Sequence, residues 1–295
     1  MEQKNFDELE SAVVEENKKV GAMPIFMKSS GSYALDYKKQ LEASILDGTS
    51  PFLPNKDGFV DVKGAYNMRD NKLHHGLTQL MLKERQVELG APTGAFVSLD
   101  TVLKAQKEGN VDCHIRKGEH GFDIQVKNPK TDEPKTIKWF NISQIVNPEN
   151  LKTYLDEQMA KRTQETNEYN KQNHPDWEEA KNPALKDMER PNENVLRANF
   201  VYPEEYLGQV FAAMSTGTKL MVSPKQEEHF KKTLIDSLNK KLENGDPDVF
   251  AIFKIASKAN EICKKTVVHL NKDKNKEINK EVKKTKEKED PSFSR

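Results

Sequence analysis

The sequence predicts an α+β protein. A small, mostly antiparallel sheet with helices spans residues 36–150, and a small all-α C-terminal segment follows. Three observations predict it. Phe122, Ile124 and Val126 alternate with Asp123, Gln125 and Lys127, and Ile137 and Trp139 alternate with Thr136, Lys138 and Phe140. Such period-2 runs, joined by the Pro- and Asp-containing stretch 128–135, read as a hairpin. Stripes of helical period that stop at glycine surround them. After residue 196 only helical stripes recur, each with start and stop signals.

The elements follow in order. Residues 1–35 read as a flexible arm: Glu2–Lys19 is acid-rich, and Gly21, Gly31, Ser29, Ser30 and Ser32 break any period. Regular pattern begins near Tyr37, with Leu41, Ile45 and Leu46 at helical spacing and Gly48 where a helix stops. Pro51, Pro54, Asn55 and Gly58 make a loop. Leu77, Leu80, Met81 and Val87 mark a helix closed by Gly90 and followed by Pro92. A short strand, Ala95-Phe96-Val97, leads to Ser98, which can cap a helix from Leu99 to about Glu108. The hairpin strands come next.

Residues 151–195 change character. One helix runs from Pro148 to about Lys161, and the rest, rich in Asn, Gln, Glu and Lys, reads as a polar linker. Residues 196–268 form a helical C-terminal domain. Pro203 starts a helix using Tyr206, Leu207, Val210, Phe211 and Met214, ending at Gly217. Ser223-Pro224-Lys225-Gln226 has the form of a capping box with Pro at the first helical position. It opens a helix carrying Phe230, Leu234, Leu238 and Leu242. Asp246-Pro247 opens a third, whose stripe is Val249, Ile252, Phe253, Ala256, Ala259 and Cys263. Lys264–Asp290 holds ten lysines against six acids, so residues 269–295 are expected to be a disordered Lys-rich tail.

Composition narrows the functional classes. The 295 residues are 32% charged and 35% hydrophobic, against about 25% and 45–50% in an average domain. Lys+Arg and Asp+Glu both number 47, which excludes a uniformly basic nucleic-acid binder but not a local basic face. No stretch approaches the ~18 apolar residues of a membrane span. The first residues lack a secretion pattern, so a cytoplasmic protein with two reduced thiols, Cys113 and Cys263, is expected.

The search for catalytic patterns is negative. His-Glu-x-x-His, Cys-x-x-Cys, Gly-x-Ser-x-Gly and the Gly-Lys phosphate loop are all absent. Cys113 and His114 are neighbours, and neighbours in a strand point to opposite faces, which does not suit a shared metal. No enzyme activity, metal or cofactor is expected. Two segments stand out instead. Ala65–Thr78 is a turn-rich loop with Arg69, Lys72, His74 and His75 that runs into a helix N-terminus, where free N–H groups favour phosphate. His114–Gly121 places Arg116 and Lys117 on a glycine-flanked turn before a strand, with His120 beside them. Four of the seven histidines fall in these segments. Either loop alone is a plain solvated turn. Together with Tyr66, Phe96 and Trp139 they suit a groove that combines backbone-tracking cations with aromatic platforms for bases.

These segments carry a resemblance. The chain resembles the N-terminal single-stranded-DNA-binding domain of ArdC-type antirestriction proteins of plasmids and phages. That pattern runs Gly-Lys-x-Tyr-Arg-Gly-Ile-Asn into an apolar helix, and Asn67, Lys72, Gly76 and Leu77 fit parts of it. Phe96-Val97-Ser98 resembles the family's Trp-x-Thr. Ile115-Arg116-Lys117-Gly118-Glu119-His120-Gly121 is similar to its Val-Arg-Lys-Gly-Glu-Lys-Gly. Trp139-Phe140-Asn141-Ile142-Ser143-Gln144 resembles its Phe-Asn-Val-x-Gln. Pro51-Phe52 is similar to its Pro-Trp entry loop. The likeness covers residues 36–150. His74, His75 and Thr78 stand where the family has Tyr, Arg and Asn, which would make binding weaker or pH-sensitive. The zinc motif of the family's downstream metallopeptidase domain is missing.

The resemblance implies a non-enzymatic single-stranded-DNA-binding protein serving antirestriction or DNA protection for a mobile element, with RNA not excluded as a ligand. Tyr66, Asn67, Arg69, Lys72, His74, His75, Phe96, Arg116, Lys117 and His120 would form the nucleic-acid-binding set. The alternatives are a protein–protein inhibitor of a restriction or defence enzyme, and an accessory subunit in which residues 196–268 recruit a separate enzyme. On the first reading, deletion of residues 196–295 should leave DNA binding intact.

Overall fold

The computed structural model describes residues 30–61, 63–127, 131, 134–173, 195–245, 247–248 and 250–289. Most of the expected arm, the linker residues 174–194 and Val249 lie outside them.

Helices α1 (Ser30–Leu46), α2 (Gly76–Glu88), α3 (Leu99–Gly109), α4 (Pro148–Asn173), α5 (Pro203–Thr216), α6 (Pro224–Leu238) and α7 (Ala251–Glu289) frame three sheets. The five-stranded sheet has the order β3 (Lys72–Leu73), β2 (Tyr66–Asn67), β4 (Ala95–Ser98), β7 (Pro134–Asn141), β6 (Phe122–Lys127). All its pairs are antiparallel except β2–β4. The expected hairpin is β6–β7, with Phe122 opposite Trp139 and Ile124 opposite Ile137. The class is α+β, as the sequence predicts, although the sheets are not purely antiparallel. A two-stranded ribbon pairs β5 (His114–Ile115) with β8 (Ile145–Val146).

The third sheet overturns the all-α expectation for the C-terminal segment. Here β1 (Phe59–Val60) pairs antiparallel with β10 (Lys219–Met221), which pairs in parallel with β9 (Val195–Arg197). Strands of two and three residues carry too few alternations to register as a period.

The boundary expected near residue 150 does not separate two cores. One cluster of buried residues joins Tyr37, Leu41 and Ile45 of α1, Leu77, Leu80 and Met81 of α2, and Val60 to Tyr206, Phe211, Leu220, Phe230, Ile252 and Cys263. The Tyr206 hydroxyl donates to the Phe52 carbonyl at 2.7 Å inside it. α7 lies along α5. Gly208 allows that approach, since a Cβ there would sit 2.7 Å from Ile262 Cβ. Two smaller clusters flank the five-stranded sheet. Ala65, Leu82, Phe96, Ile124 and Trp139 fill the α2 side. Met68, Val97, Val102, Cys113, Phe140, Ile145 and Leu155 fill the α3–α4 side.

Several helix boundaries differ from expectation: α6 ends at Leu238, short of Leu242, and α7 starts at Ala251 rather than at Pro247. α1 starts at Ser30, within the expected arm. α4 continues to Asn173, although only Leu151 and Leu155 are buried along it. α7 runs through the expected disordered tail to Glu289, and residues 290–295 lie outside the described residues. Apolar period reports burial, so the solvated outer turns of α4 give no stripe to read. The caps are as expected: the Ser98 hydroxyl accepts from Thr101 N–H, and Ser223 with Gln226 forms a capping box ahead of α6.

Candidate nucleic-acid interface

The first cationic segment is a tight hairpin turn between β2 and β3. The Asn67 side-chain oxygen accepts from Arg69 N–H at 3.0 Å, Asp70 accepts from Lys72 N–H at 3.3 Å, and Asn71 is left-handed at φ 53°. Asn and Asp favour such turns because their side chains bond backbone two residues on. Met68 N–H donates to the Phe96 carbonyl and its side chain enters the α3–α4 core, leaving Arg69 and Lys72 exposed.

The second segment is better supported from beneath. Arg116–Glu119 closes with Glu119 N–H donating to the Arg116 carbonyl at 3.1 Å. Gly118 at φ 86° supplies the positive φ required at the third position of a type II turn. Arg116 N–H donates to the Gln144 carbonyl at 2.9 Å and its Nε to the Ile145 carbonyl at 3.4 Å. The buried Gln144 amide donates to Glu119 Oε2 at 2.7 Å and to the His120 carbonyl at 3.2 Å. Gln144 is held in turn, since its Oε1 accepts from Asn141 N–H at 2.9 Å and Asn141 Nδ2 donates to the Thr93 carbonyl at 2.9 Å. Glu119 is thereby drawn toward the amide beneath the turn. Arg69, Lys72, Arg116 and Lys117 are all exposed, and none has an ion-pair partner among the described residues.

The two turns do not form the expected single clamp. Lys72, Asn67, Phe96 and Asn141 lie opposite one another in one row across the sheet. β2 leaves that row into the first turn, and β7 leaves it toward Gln144 and the second. β2 is parallel to β4 and β4 is antiparallel to β7, so the exits point in opposite directions along the strands. Three strand spacings from β3 to β7 add about 14 Å sideways. The turns do share a floor, because Met68 from one and Ile115 beside the other pack on the same cluster.

The aromatic platforms are a second correction. Phe96 is 0% and Tyr66 5% exposed, because α2 covers one face of the sheet and β2 is an interior strand. Neither offers a ring to a base. Trp139 is also core. His74 packs edge-on against Trp139 at 4.6 Å between centroids, and burial, then the nearby His75, lowers its pKa to about 4. It is neutral at pH 7 and does not supply the expected charge or titration near 6.5. His75 remains exposed, with its pKa lowered by partial burial and then by Lys264 of α7. It opens α2 without a side-chain cap. His120 is exposed, and Asn67 is spent on its own turn.

Cys113 is buried and His114 exposed, as neighbours on a strand should be. Among the described residues no group of three or more His, Cys, Asp or Glu is placed to hold a metal ion, and no helix is long and apolar enough to cross a membrane. Sequence reasoning missed Asn141 and Gln144 as supports of the second turn. Their Asn-x-x-Gln spacing, a reciprocal cap around the short turn Ile142–Gln144, was the available signal.

No family model and no curated protein matches the sequence. Among solved structures the chain is similar to the antirestriction protein ArdC from plasmid R388, in a metal-free crystal structure. The identity is 13% and the TM-score 0.39, over 78% of this chain and 95% of that one.

Proposed function

We propose that the chain is a non-enzymatic single-stranded-DNA-binding protein that protects the DNA of a mobile element from restriction. One observation carries this reading: Arg116 and Lys117 stand exposed on a turn that is anchored from below and whose own carboxylate is drawn to Gln144. Exposed cations on an anchored turn suit phosphates, which supply most of the sequence-independent affinity for nucleic acid. The ordered motif likeness over residues 36–150 supports the same reading. With Tyr66 and Phe96 buried, the contribution of this region is electrostatic.

The test is a gel shift of single-stranded DNA, duplex DNA and RNA at two salt concentrations. Binding of single strands should weaken with salt, with a log–log slope of about −0.7 per neutralised phosphate. The double change Arg116→Ala and Lys117→Ala should flatten that slope by about 1.4 and weaken binding for every sequence. Salt-independent affinity, or an unaltered slope in the double variant, sinks the proposal. Stable capture of a protein from nuclease-treated lysate, without any DNA binding, would favour the inhibitor reading instead.

A further inference from the structure

At the other end of the chain an exposed ring stands beside lysines that have no ion pair among the described residues. The start of α5, the end of α6 and the start of α7 enclose an open groove of about 880 Å³. Tyr202 stands at its rim and is 59% exposed. Lys240, Lys241, Lys254 and Lys258 line it. Two of its acids are already committed: Asp248 pairs with Lys254 at 3.1 Å and Glu204 with Lys258 at 3.4 Å. Lys240 and Lys241 have no ion pair among the described residues. They are held in place where Asp248 N–H donates to the Lys240 carbonyl at 3.1 Å and Lys241 bridges to Pro247. Glu243 is the one lining acid without an ion pair among the described residues, and it opposes an anionic ligand.

Along α7 the cations continue. Lys265 lies on the same exposed stripe as Lys254 and Lys258, with Glu261 between them, about 16 Å from Lys254 at the helical rise. Lys264 sits one position back and acts electrostatically on His75. Helix α7 therefore joins the groove to the uncapped start of α2.

We propose that this groove is a second contact for single-stranded nucleic acid, in which a base stacks on Tyr202 and backbone phosphates meet Lys240 and Lys241. Stacking on an exposed ring accepts any base, and flanking cations track the backbone. The class of ligand rests on the reading above, but the residues are wholly separate. The experiment is fluorescence anisotropy of the full chain with a fluorescein-labelled oligothymidylate. Tyr202→Ala should weaken binding about fivefold or more, while Tyr202→Phe leaves it intact. Lys240→Ala with Lys241→Ala should flatten the salt slope by about 1.4. Glu243→Gln should tighten binding, a gain that misfolding cannot imitate.

If all groove variants bind like the parent while Arg116→Ala with Lys117→Ala weakens binding, the groove is refuted and the turn stands. Loss confined to the groove variants upholds the groove and removes the turn. A parent chain that binds duplex as tightly as oligothymidylate, or binds neither, overturns both.

Discussion

Gln144 shows how much one side chain can decide. It is 3% exposed, and its amide donors and acceptor are all used on the turn above and the cap below. Gln144→Ala removes the support of Glu119 and frees that carboxylate to face Lys117. DNA affinity should fall toward that of the Arg116→Ala, Lys117→Ala variant, with a stability loss of roughly 1–3 kcal/mol. Wild-type affinity in a folded variant would show that the turn needs no support. Glu84 makes a different prediction. It is 4% exposed between α2 and α1, where the Ser44 hydroxyl donates to its Oε1 at 2.9 Å. Burial raises its pKa to about 7, against the pull of Ser44 and Tyr37 and with added push from Glu88. The folded state thus binds this proton more tightly than the unfolded chain. Its contribution is full below about 4.5 and is lost as pH rises through about 7. Glu84→Gln should therefore gain on the parent by about 2 kcal/mol between pH 5 and pH 8 in urea melts. A constant difference would contradict the assignment. His74 tilts the parent the other way, since its lowered pKa costs stability as pH falls from about 6.5 toward 4. Comparing variant with parent cancels that slope.

The elements repeat this contrast between local and distant causes. Strands β2 and β4 run side by side because Gly94 lets two backbones touch. A Cβ on Gly94 would overlap the Gly64 carbonyl oxygen and sit 3.2 Å from Ala65 Cα. Tyr66 N–H donates to the Gly94 carbonyl at 2.8 Å in the same place. Gly94→Ala should cost roughly 2–3 kcal/mol, read as a lowered denaturant midpoint with the folded spectrum retained. A midpoint equal to the parent's would mean the strands can part freely. Caps were readable because Ser98 and Ser223 bond within three residues of themselves. Arg116, Lys117 and Gly118 were readable as a turn for the same reason. The length of α4 was not, because its outer turns bury no recurrent face.

For the whole molecule the decisive fact is the shared core. Residues before 82 and after 197 fill one cluster, and β1 finds its partner in β10 rather than in any nearby strand. The expectation that residues 196–295 can be deleted with binding retained is therefore withdrawn. Deletion strips cover from Tyr37, Leu41, Ile45, Leu77 and Leu80, each at most 8% exposed in the intact chain. The five side chains so uncovered forfeit about 1.5–3 kcal/mol each, a sum comparable to the whole stability of a typical domain, roughly 5–15 kcal/mol. Residues 1–195 alone should lack a cooperative unfolding transition by calorimetry. A sharp transition would restore the independent N-terminal domain. Point variants in the turn and in the groove are thus the sound way to separate the functional readings.

Residues 36–150 announced their class, their hairpin, their capped helices and their cationic turns from the sequence, because each depends on side chains within a few positions of one another. Which ring is covered, which way a turn faces and which segments share a core depend on contacts far apart along the chain. Phe96 reads the same in a strand whether α2 lies over it or not. Strand polarity sends the two turns apart, and nothing within either turn encodes it. Packing between distant segments makes those choices, since apolar burial is non-directional and takes its partner from the whole fold.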